Sequence, residues 1–236
     1  MTTMDIKQLA ASIDQTLLKP TVGAREAREW MLKQRDAGFA SLCVSPFLVP
    51  AAAEVLSGTT TRVCTVVSFP LGYAVSASKA DEARRLVGLG AVEIDMVMNV
   101  ACALDGSWDY VRADIAEVVA ATREASSGAA IVKVILECAY LGGSTRVSLA
   151  CKAAVEAGAD FVKTSTGFGP GGATIEDVRA MRAAVGPDIG VKAAGGIRTL
   201  DDALAMLAAG ANRIGASAGL EILAEFERAR TQEQRG

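Results

Sequence analysis

Histidine is absent from all 236 residues. That absence excludes Ser-His and Cys-His nucleophile pairs, imidazole acid–base catalysis and histidine-ligated zinc together. Acid–base chemistry must then come from Asp, Glu, Lys, Tyr or Cys. No apolar run reaches the roughly 18 residues that a membrane helix needs, and Met1–Ala10 shows no charged-then-apolar leader. Neither spanning nor secretion is expected, which points to the cytoplasm. The formal net charge is −3 and the pI is near 5.2, with no cluster of Lys or Arg on one face, so nucleic acid and anionic membrane are poor partners. Five cysteines (Cys43, Cys64, Cys102, Cys138, Cys151) show neither paired nor metal-like spacing. They read as free thiols in a reducing compartment. No linker, low-complexity segment or charge block interrupts the chain, so residues 1–236 are expected to form one domain.

Strand-like and helical runs alternate throughout. The expected strands are Ile13–Leu18, Ser41–Pro46, Arg62–Phe69, Ala91–Val100, Ile131–Cys138, Phe161–Thr166, Ile189–Ala194 and Arg213–Ala216. Helical periodicity marks Ala24–Ala37, Ser76–Leu89, Asp109–Ala125, Val147–Ala157, Ile175–Val185, Asp201–Ala209 and Gly219–Arg230, with a short helix at Met4–Ala11 and a frayed polar tail after Arg230. Eight β-then-α units are the arithmetic of a (β/α)8 TIM barrel, an α/β fold. An open doubly-wound sheet is the alternative, and the regularity of the units favours closure. A weak repeat agrees: Gly38, Gly90, Gly158 and Gly210 each end a helix just before an even-numbered strand.

The segment Ala157–Gly167 contains a short strand carrying Lys163. Lysine is rarely buried in a parallel sheet without a partner or a task. Side chains alternate with period 2 along a strand. Glu93, Asp95, Val97 and Asn99 therefore share one face, as do Lys133, Ile135 and Glu137 on the next strand, Lys163 with Ser165, and Lys192 opposite Val191 and Ala193. The apolar faces belong against the helices, which sends the charged faces into the barrel, where Asp14 and Cys43 join them. Buried charges cost several kcal/mol each unless paired, so a network is implied. A purely structural network and a reactive site are the two explanations, and the density of charge favours the second.

Lys163 and Lys192 lie on neighbouring strands, about 4.8 Å apart. Two ammonium groups at about 5 Å repel by roughly 3 kcal/mol at an effective dielectric near 20, which favours one of the two as the neutral amine. A neutral amine attacks carbonyls to form a Schiff base. Asp95 can shuttle protons in place of the missing histidine. The residues alone do not decide which lysine is the nucleophile. Glycine-rich turns follow strands 7 and 8 (Ala194-Gly195-Gly196 and Gly215-Ala216-Ser217-Ala218-Gly219), where a closed barrel builds a phosphate site from backbone N–H groups and a helix N-terminus. Gly167–Gly172 forms a rim loop beside them. Arg213 is a candidate phosphate partner, whereas Arg198 is expected to pair with Asp201 or Asp202.

These motifs resemble the deoxyribose-phosphate aldolases, a family of class I (Schiff-base) enzymes. The likeness is carried by Asp14–Pro20, Leu42–Pro46, Glu93–Val97, Phe161–Gly167, Val191–Arg198 and Arg213–Ser217, in order along nearly the whole chain. The resemblance implies reversible cleavage of 2-deoxy-D-ribose 5-phosphate to acetaldehyde and D-glyceraldehyde 3-phosphate. It implies Lys163 as the Schiff-base lysine, Asp95 as proton donor or acceptor, and Lys192 as the group that tunes Lys163 and joins the relay. Gly167, Gly195, Gly196, Gly215, Ala216 and Ser217 are expected to hold substrate and phosphate, and Asp14, Thr16, Cys43 and Lys133 to line the site. No cofactor or metal is implied, and the family suggests a homodimer. Histidine is common in the family where this chain has Gln15, which keeps a hydrogen bond and cannot titrate. Some members end in a tyrosine that reaches the site, and the stretch Glu233–Gly236 offers none. The rivals are another Schiff-base aldolase or transaldolase and a catalytically silent sugar-phosphate binder. Missing histidine weighs against a metal-dependent aldolase.

Overall fold

A computed structural model describes residues 4–233 of the chain. Eight parallel strands close on themselves in sequence order, β1 pairing with both β2 and β8. They are β1 (Ile13–Leu17), β2 (Ser41–Val44), β3 (Arg62–Val67), β4 (Glu93–Val97), β5 (Ile131–Ile135), β6 (Phe161–Lys163), β7 (Gly190–Ala194) and β8 (Arg213–Ala216). The ring of helices comprises α1 (Ile6–Ala10), α2 (Ala24–Gln34), α3 (Val49–Leu56), α4 (Ser76–Gly88), α5 (Val100–Leu104), α6 (Trp108–Ala125), α7 (Cys138–Leu141), α8 (Ser144–Glu156), α9 (Ile175–Val185), α10 (Leu200–Ala208) and α11 (Gly219–Glu233). Among the described residues, no helix is long and apolar enough to cross a membrane.

Local chemistry accounts for the punctuation. Asp5 and Gln8 form a reciprocal capping box that starts α1, and Thr199 with Asp202 starts α10 in the same way. Gly38, Gly90, Gly158 and Gly210 all adopt positive φ (+76°, +110°, +87° and +115°), so the repeat read from the sequence marks left-handed turns into β2, β4, β6 and β8.

Several boundaries move. Strands β2 to β6 end earlier than their apolar runs; after β2, β4 and β5 the residues that follow turn into helix caps. Asn99, for example, accepts the backbone N–H of Cys102 at 3.1 Å to start α5. Helix α3 fills the gap after β2, where Pro46 and Pro50 conceal the periodicity; Pro50 sits in its first turn, where a missing N–H costs nothing. Helix α11 continues to Glu233, beyond the expected end at Arg230, and residues 234–236 lie outside the described part of the chain.

The parity argument holds in the barrel wall. Ile94, Met96 and Met98 are fully buried between β4 and the helices, while Glu93 and Asp95 are fully buried on the opposite, inner face. Phe161 plugs the N-terminal end of the interior. Gly190 makes room for it, since a Cβ there would lie 2.1 Å from the ring, and the Arg213 guanidinium sits 5.5 Å from the ring centre. Above this plug the interior is ionic.

Candidate active site

Three carboxylates and three lysines stack inside the barrel, all but sealed from solvent. Asp14, Glu93, Asp95 and Lys133 have fully buried side chains, and those of Lys192 and Lys163 are 1% and 4% exposed. The deepest layer joins Glu93 to Arg62 (3.2 Å), Arg213 (3.3 Å) and Lys133 (2.7 Å). Arg213 also reaches Asp14 Oδ1 at 2.6 Å. Arg213 therefore does not serve the phosphate turns: it opens β8 at the N-terminal end of the strand, and its charge balances carboxylates from below. Arg198 likewise departs from expectation. Asp202 accepts its backbone N–H at 3.0 Å as part of the α10 cap, and the exposed guanidinium forms no ion pair with Asp201 or Asp202.

Asp95 is the hub. Its Oδ1 accepts from Lys133 Nζ at 2.7 Å, and its Oδ2 accepts from both Lys163 Nζ (2.8 Å) and Lys192 Nζ (2.7 Å). Strand register makes this possible, since Asp95 faces Lys133 across β4 and β5 and Lys163 faces Lys192 across β6 and β7. Lys192 has a second carboxylate in Asp14 Oδ2 at 2.5 Å, and Lys133 has Glu93 at 2.7 Å and Asp14 at 3.6 Å. Lys163 has Asp95 alone. A single contact distinguishes it from the other two.

Burial on its own would raise Asp95, but the ammoniums of Lys133, Lys163 and Lys192 hold it well below the usual carboxylate range. Asp14 is likewise held down, burial being outweighed by Lys192, Lys133 and Arg213. Burial would lower Lys192 and Lys133, yet Asp14 and Asp95 raise Lys192, and Asp95 leads the groups that raise Lys133. Lys192 and Lys133 are therefore permanent ammoniums at neutral pH. Depressed carboxylates contribute stability that is full above their unfolded values, near pH 4, and is lost as pH falls further. Raised lysines contribute fully below about pH 10.4 and lose the contribution as pH rises beyond it. No histidine titrates between these limits. Urea-unfolding midpoints should accordingly be flat from about pH 5 to 8, above which the unfolded thiols of buried cysteines begin to ionise, and drop steeply below about pH 4. A steady decline between pH 5 and 8 would contradict the arrangement.

Other expected site residues are placed as follows. Thr16 is half-buried near the C-terminal end of β1, its hydroxyl donating to the Asp14 carbonyl at 2.9 Å. Cys43 is fully buried in a small cluster with Cys64 and Val66, beneath Leu18 and Phe69. Gly167, Gly195 and Gly196 have φ of +84°, +94° and +83° and lie at the C-terminal ends of β6 and β7. The far end of the β6 loop is stitched to the β7 turn, where Ala173 N–H donates to Gly195 O at 3.0 Å. Gly215 and Ala216 belong to β8 itself, not to the turn after it. A Cβ on Gly215 would lie 3.1 Å from Lys192 Cε, so this glycine clears space for the lysine stem. Ser217 opens the turn and is exposed, just ahead of the α11 N-terminus.

Two residues named from the sequence take other roles in the structure, Gln15 outside the barrel and Glu137 above the end of β5. Gln15 points out of the barrel, bonding Gln34 (3.0 Å), Ser217 O (3.4 Å) and Gly219 N–H (2.9 Å). It braces the turn after β8 and stands apart from the lysines. Its parity, odd against Asp14, was the available signal. Glu137 adopts φ +52° beyond the end of β5, and its buried carboxylate accepts both the backbone N–H and the hydroxyl of Thr166. Thr166 in turn accepts the Phe168 N–H at 3.0 Å, so one carboxylate shapes the start of the β6 loop. An apolar cleft of about 270 Å³ opens over β1 to β3, lined in part by Leu18, Pro46, Val66, Phe69 and Phe168. A larger cleft of about 600 Å³ sits at the opposite, N-terminal end of the strands beside Phe161 and Gly190, and none of the lysines reaches it.

Residues 5–225 match the DeoC/LacD family aldolase. The chain belongs to this family. Among DeoC/LacD relatives, it is 51% identical over 223 residues to a deoxyribose-phosphate aldolase of Caldanaerobacter subterraneus subsp. tengcongensis, covering 94% of this chain and 95% of that one. Deoxyribose-phosphate aldolase 2 of Bacillus licheniformis is 50% identical over 219 residues, with 93% and 96% of the two chains covered. A deoxyribose phosphate aldolase from Aeropyrum pernix, described as a tetramer, superposes with a TM-score of 0.85 at 32% identity over 94% of this chain and 92% of that one. DeoC/LacD membership makes the chain an aldolase, a carbon–carbon lyase on a (β/α)8 barrel.

Proposed function

We propose that the chain reversibly cleaves 2-deoxy-D-ribose 5-phosphate to D-glyceraldehyde 3-phosphate and acetaldehyde through a Schiff base on Lys163. The observation that carries this reading is Asp95 Oδ2, which accepts from two lysines of which only Lys163 lacks another carboxylate. Lys192 and Lys133, each held between carboxylates, are poor nucleophiles because they keep their protons. Lys163 contacts one carboxylate only, and its side chain, 4% exposed against 1% for Lys192 and 0% for Lys133, is the least buried of the three.

In this reading the free amine of Lys163 adds to C1 of the open-chain sugar. Water leaves to give an iminium ion, whose positive charge accepts the electron pair of the C2–C3 bond. Removal of the proton from the C3 hydroxyl breaks that bond. Glyceraldehyde 3-phosphate departs and the enamine of acetaldehyde remains on Lys163. Protonation at C2 and hydrolysis release acetaldehyde and restore the amine. Asp95, kept ionised, takes the C3 hydroxyl proton and returns it to C2, while the Lys192 ammonium stays charged beside it. Because the chemistry stays on side chains, the reading calls for no cofactor. The chain acts as one cytoplasmic catalytic domain and self-associates as a dimer, without nucleic acid or membrane.

The phosphate belongs at Gly167, Gly195, Gly196 and Ser217, with Gly215 and Ala216 forming the wall behind them. Support comes from the positive-φ glycines at the ends of β6 and β7 and from the α11 N-terminus after Ser217. Ser217→Glu is the preferred test, because Gly196 at φ +83° would be strained by any side chain. A glutamate at this exposed turn should raise KM for the phosphorylated sugar by about tenfold through repulsion of like charges, while slow cleavage of unphosphorylated deoxyribose changes far less. Equal losses on both substrates would move the phosphate elsewhere. Product analysis across a panel of sugar phosphates tests the reaction itself: release of acetaldehyde from the 2-deoxy sugar phosphate supports it, and release of dihydroxyacetone units instead would favour the transaldolase alternative.

A further inference from the structure

Cys43 and Cys64 are paired residues on β2 and β3, far apart in the chain and adjacent in the wall. Neighbouring strands are about 4.8 Å apart, inside the Cα window for a disulfide. Both side chains point inward and are fully buried, and their sulfurs lie within 4.8 Å of each other and of an Asp95 carboxylate oxygen. Such a group also has the spacing of a thiophilic metal site. The Lys133 ammonium, 3.3 Å from Cys64 Sγ and 2.7 Å from Asp95 Oδ1, already fills the cationic position.

We propose that Cys43 and Cys64 form a reversible oxidation site, in which a peroxide converts the two thiols to a disulfide and thereby lowers aldolase activity. The thiols suit different halves of that chemistry. Turned from Asp95 toward Cys43, the Cys64 S–H stabilises the Cys43 thiolate and lowers its pKa, while burial and the same contact hold Cys64 as a thiol. The Cys43 thiolate attacks one peroxide oxygen, giving a sulfenic acid and, after protonation, water. The Cys64 sulfur then displaces the sulfenic oxygen, which takes up the Cys64 proton and leaves as a second water. Two thiols and one hydrogen peroxide thus become one disulfide and two waters.

Access and consequence both follow from the surroundings. Leu18 and Phe69, which pack on the two thiols, also line the apolar cleft at the mouth, so a single layer of side chains separates the sulfurs from the cleft. Cys64 Sγ is 3.4 Å from Asp95 Oδ1. Drawing that sulfur toward Cys43 removes a hydrogen bond from the carboxylate that organises Lys133, Lys163 and Lys192.

The test uses the full-length enzyme and hydrogen peroxide, followed by intact mass, peptide mapping without reductant, and kinetics. Expected are a loss of about 2 Da, a Cys43–Cys64 cross-linked peptide, and kcat/KM lower by about tenfold, the worth of one hydrogen bond to a charged group. Dithiothreitol should restore activity. In Cys64→Val, which lacks the resolving thiol, Cys43 should proceed to a sulfinic acid, gaining about 32 Da that dithiothreitol does not remove. Should that variant not fold, Cys43→Ala should leave Cys64 alkylatable after the same treatment. The mapping is independent of the aldolase reading. Cys43 and Cys64 both still alkylatable in the treated parent would overturn the site, and a mapped disulfide with unchanged kcat/KM would overturn its coupling to catalysis.

Discussion

Lys163→Met should be devoid of aldolase turnover while remaining folded. Loss of a covalent nucleophile typically costs at least about 10⁴-fold, because the remaining groups have no intermediate to act on. The barrel should tolerate the change. Removing one partner of a buried pair is usually destabilising by several kcal/mol, since the survivor is left uncompensated. Asp95, however, retains Lys133 and Lys192 at 2.7 Å each. The thermal midpoint by circular dichroism should therefore stay near that of the parent. Substantial turnover by a folded Lys163→Met would hand the nucleophile's role to another lysine.

Lys192→Met probes the electrostatics rather than the covalent step. In the parent, Lys163 and Lys192 both lean on Asp95 Oδ2, at 2.8 and 2.7 Å. Repulsion between ammoniums about 5 Å apart is roughly 3 kcal/mol at an effective dielectric near 20. Methionine keeps the apolar stem and deletes the charge, leaving Lys163 as the only cation on that oxygen. Activity should collapse at pH 7 and recover partly toward pH 9 to 10, with the acidic limb of the pH–rate profile displaced upward. A lost proton relay would behave differently, lowering the plateau with the limb unmoved. Asp14 keeps Arg213 at 2.6 Å and the Ser41 hydroxyl at 2.7 Å, so the fold has a reserve against this deletion as well. An unmoved limb in the folded variant would make Lys192 a proton carrier instead of an electrostatic tuner.

Much of this site could be read from alternation alone. A short strand such as Phe161–Lys163 that is apolar on one face and charged on the other has only one orientation in a barrel, so Asp95, Lys133, Lys163 and Lys192 were bound to converge. Alternation does not give height along the barrel axis. That depends on strand tilt and register, which set Lys133 between Glu93 and Asp95 and brought Lys163 level with Lys192. The same limit misplaced Arg213: its position at the start of β8 puts it at the end opposite the phosphate turns. The meeting of Cys43 and Cys64 is likewise a matter of register between β2 and β3, invisible to any count of cysteine spacing. Helix α3 was hidden by Pro50 in its first turn and Pro46 just before it, and the bend at Glu137 by an apolar run that continues past the end of β5. Residues 234–236, and with them most of the tyrosine-free end, lie outside the described residues.

The most direct test of the central claim is covalent. The protein is treated with borohydride in the presence of acetaldehyde, digested, and mapped by mass spectrometry. Reduction of the iminium should leave an ethyl group, about 28 Da, on a single lysine. An adduct concentrated on Lys163, and absent from Lys163→Met, is the result predicted by one carboxylate contact against two. An adduct found mainly on Lys192 or Lys133, or on no lysine at all, would contradict it.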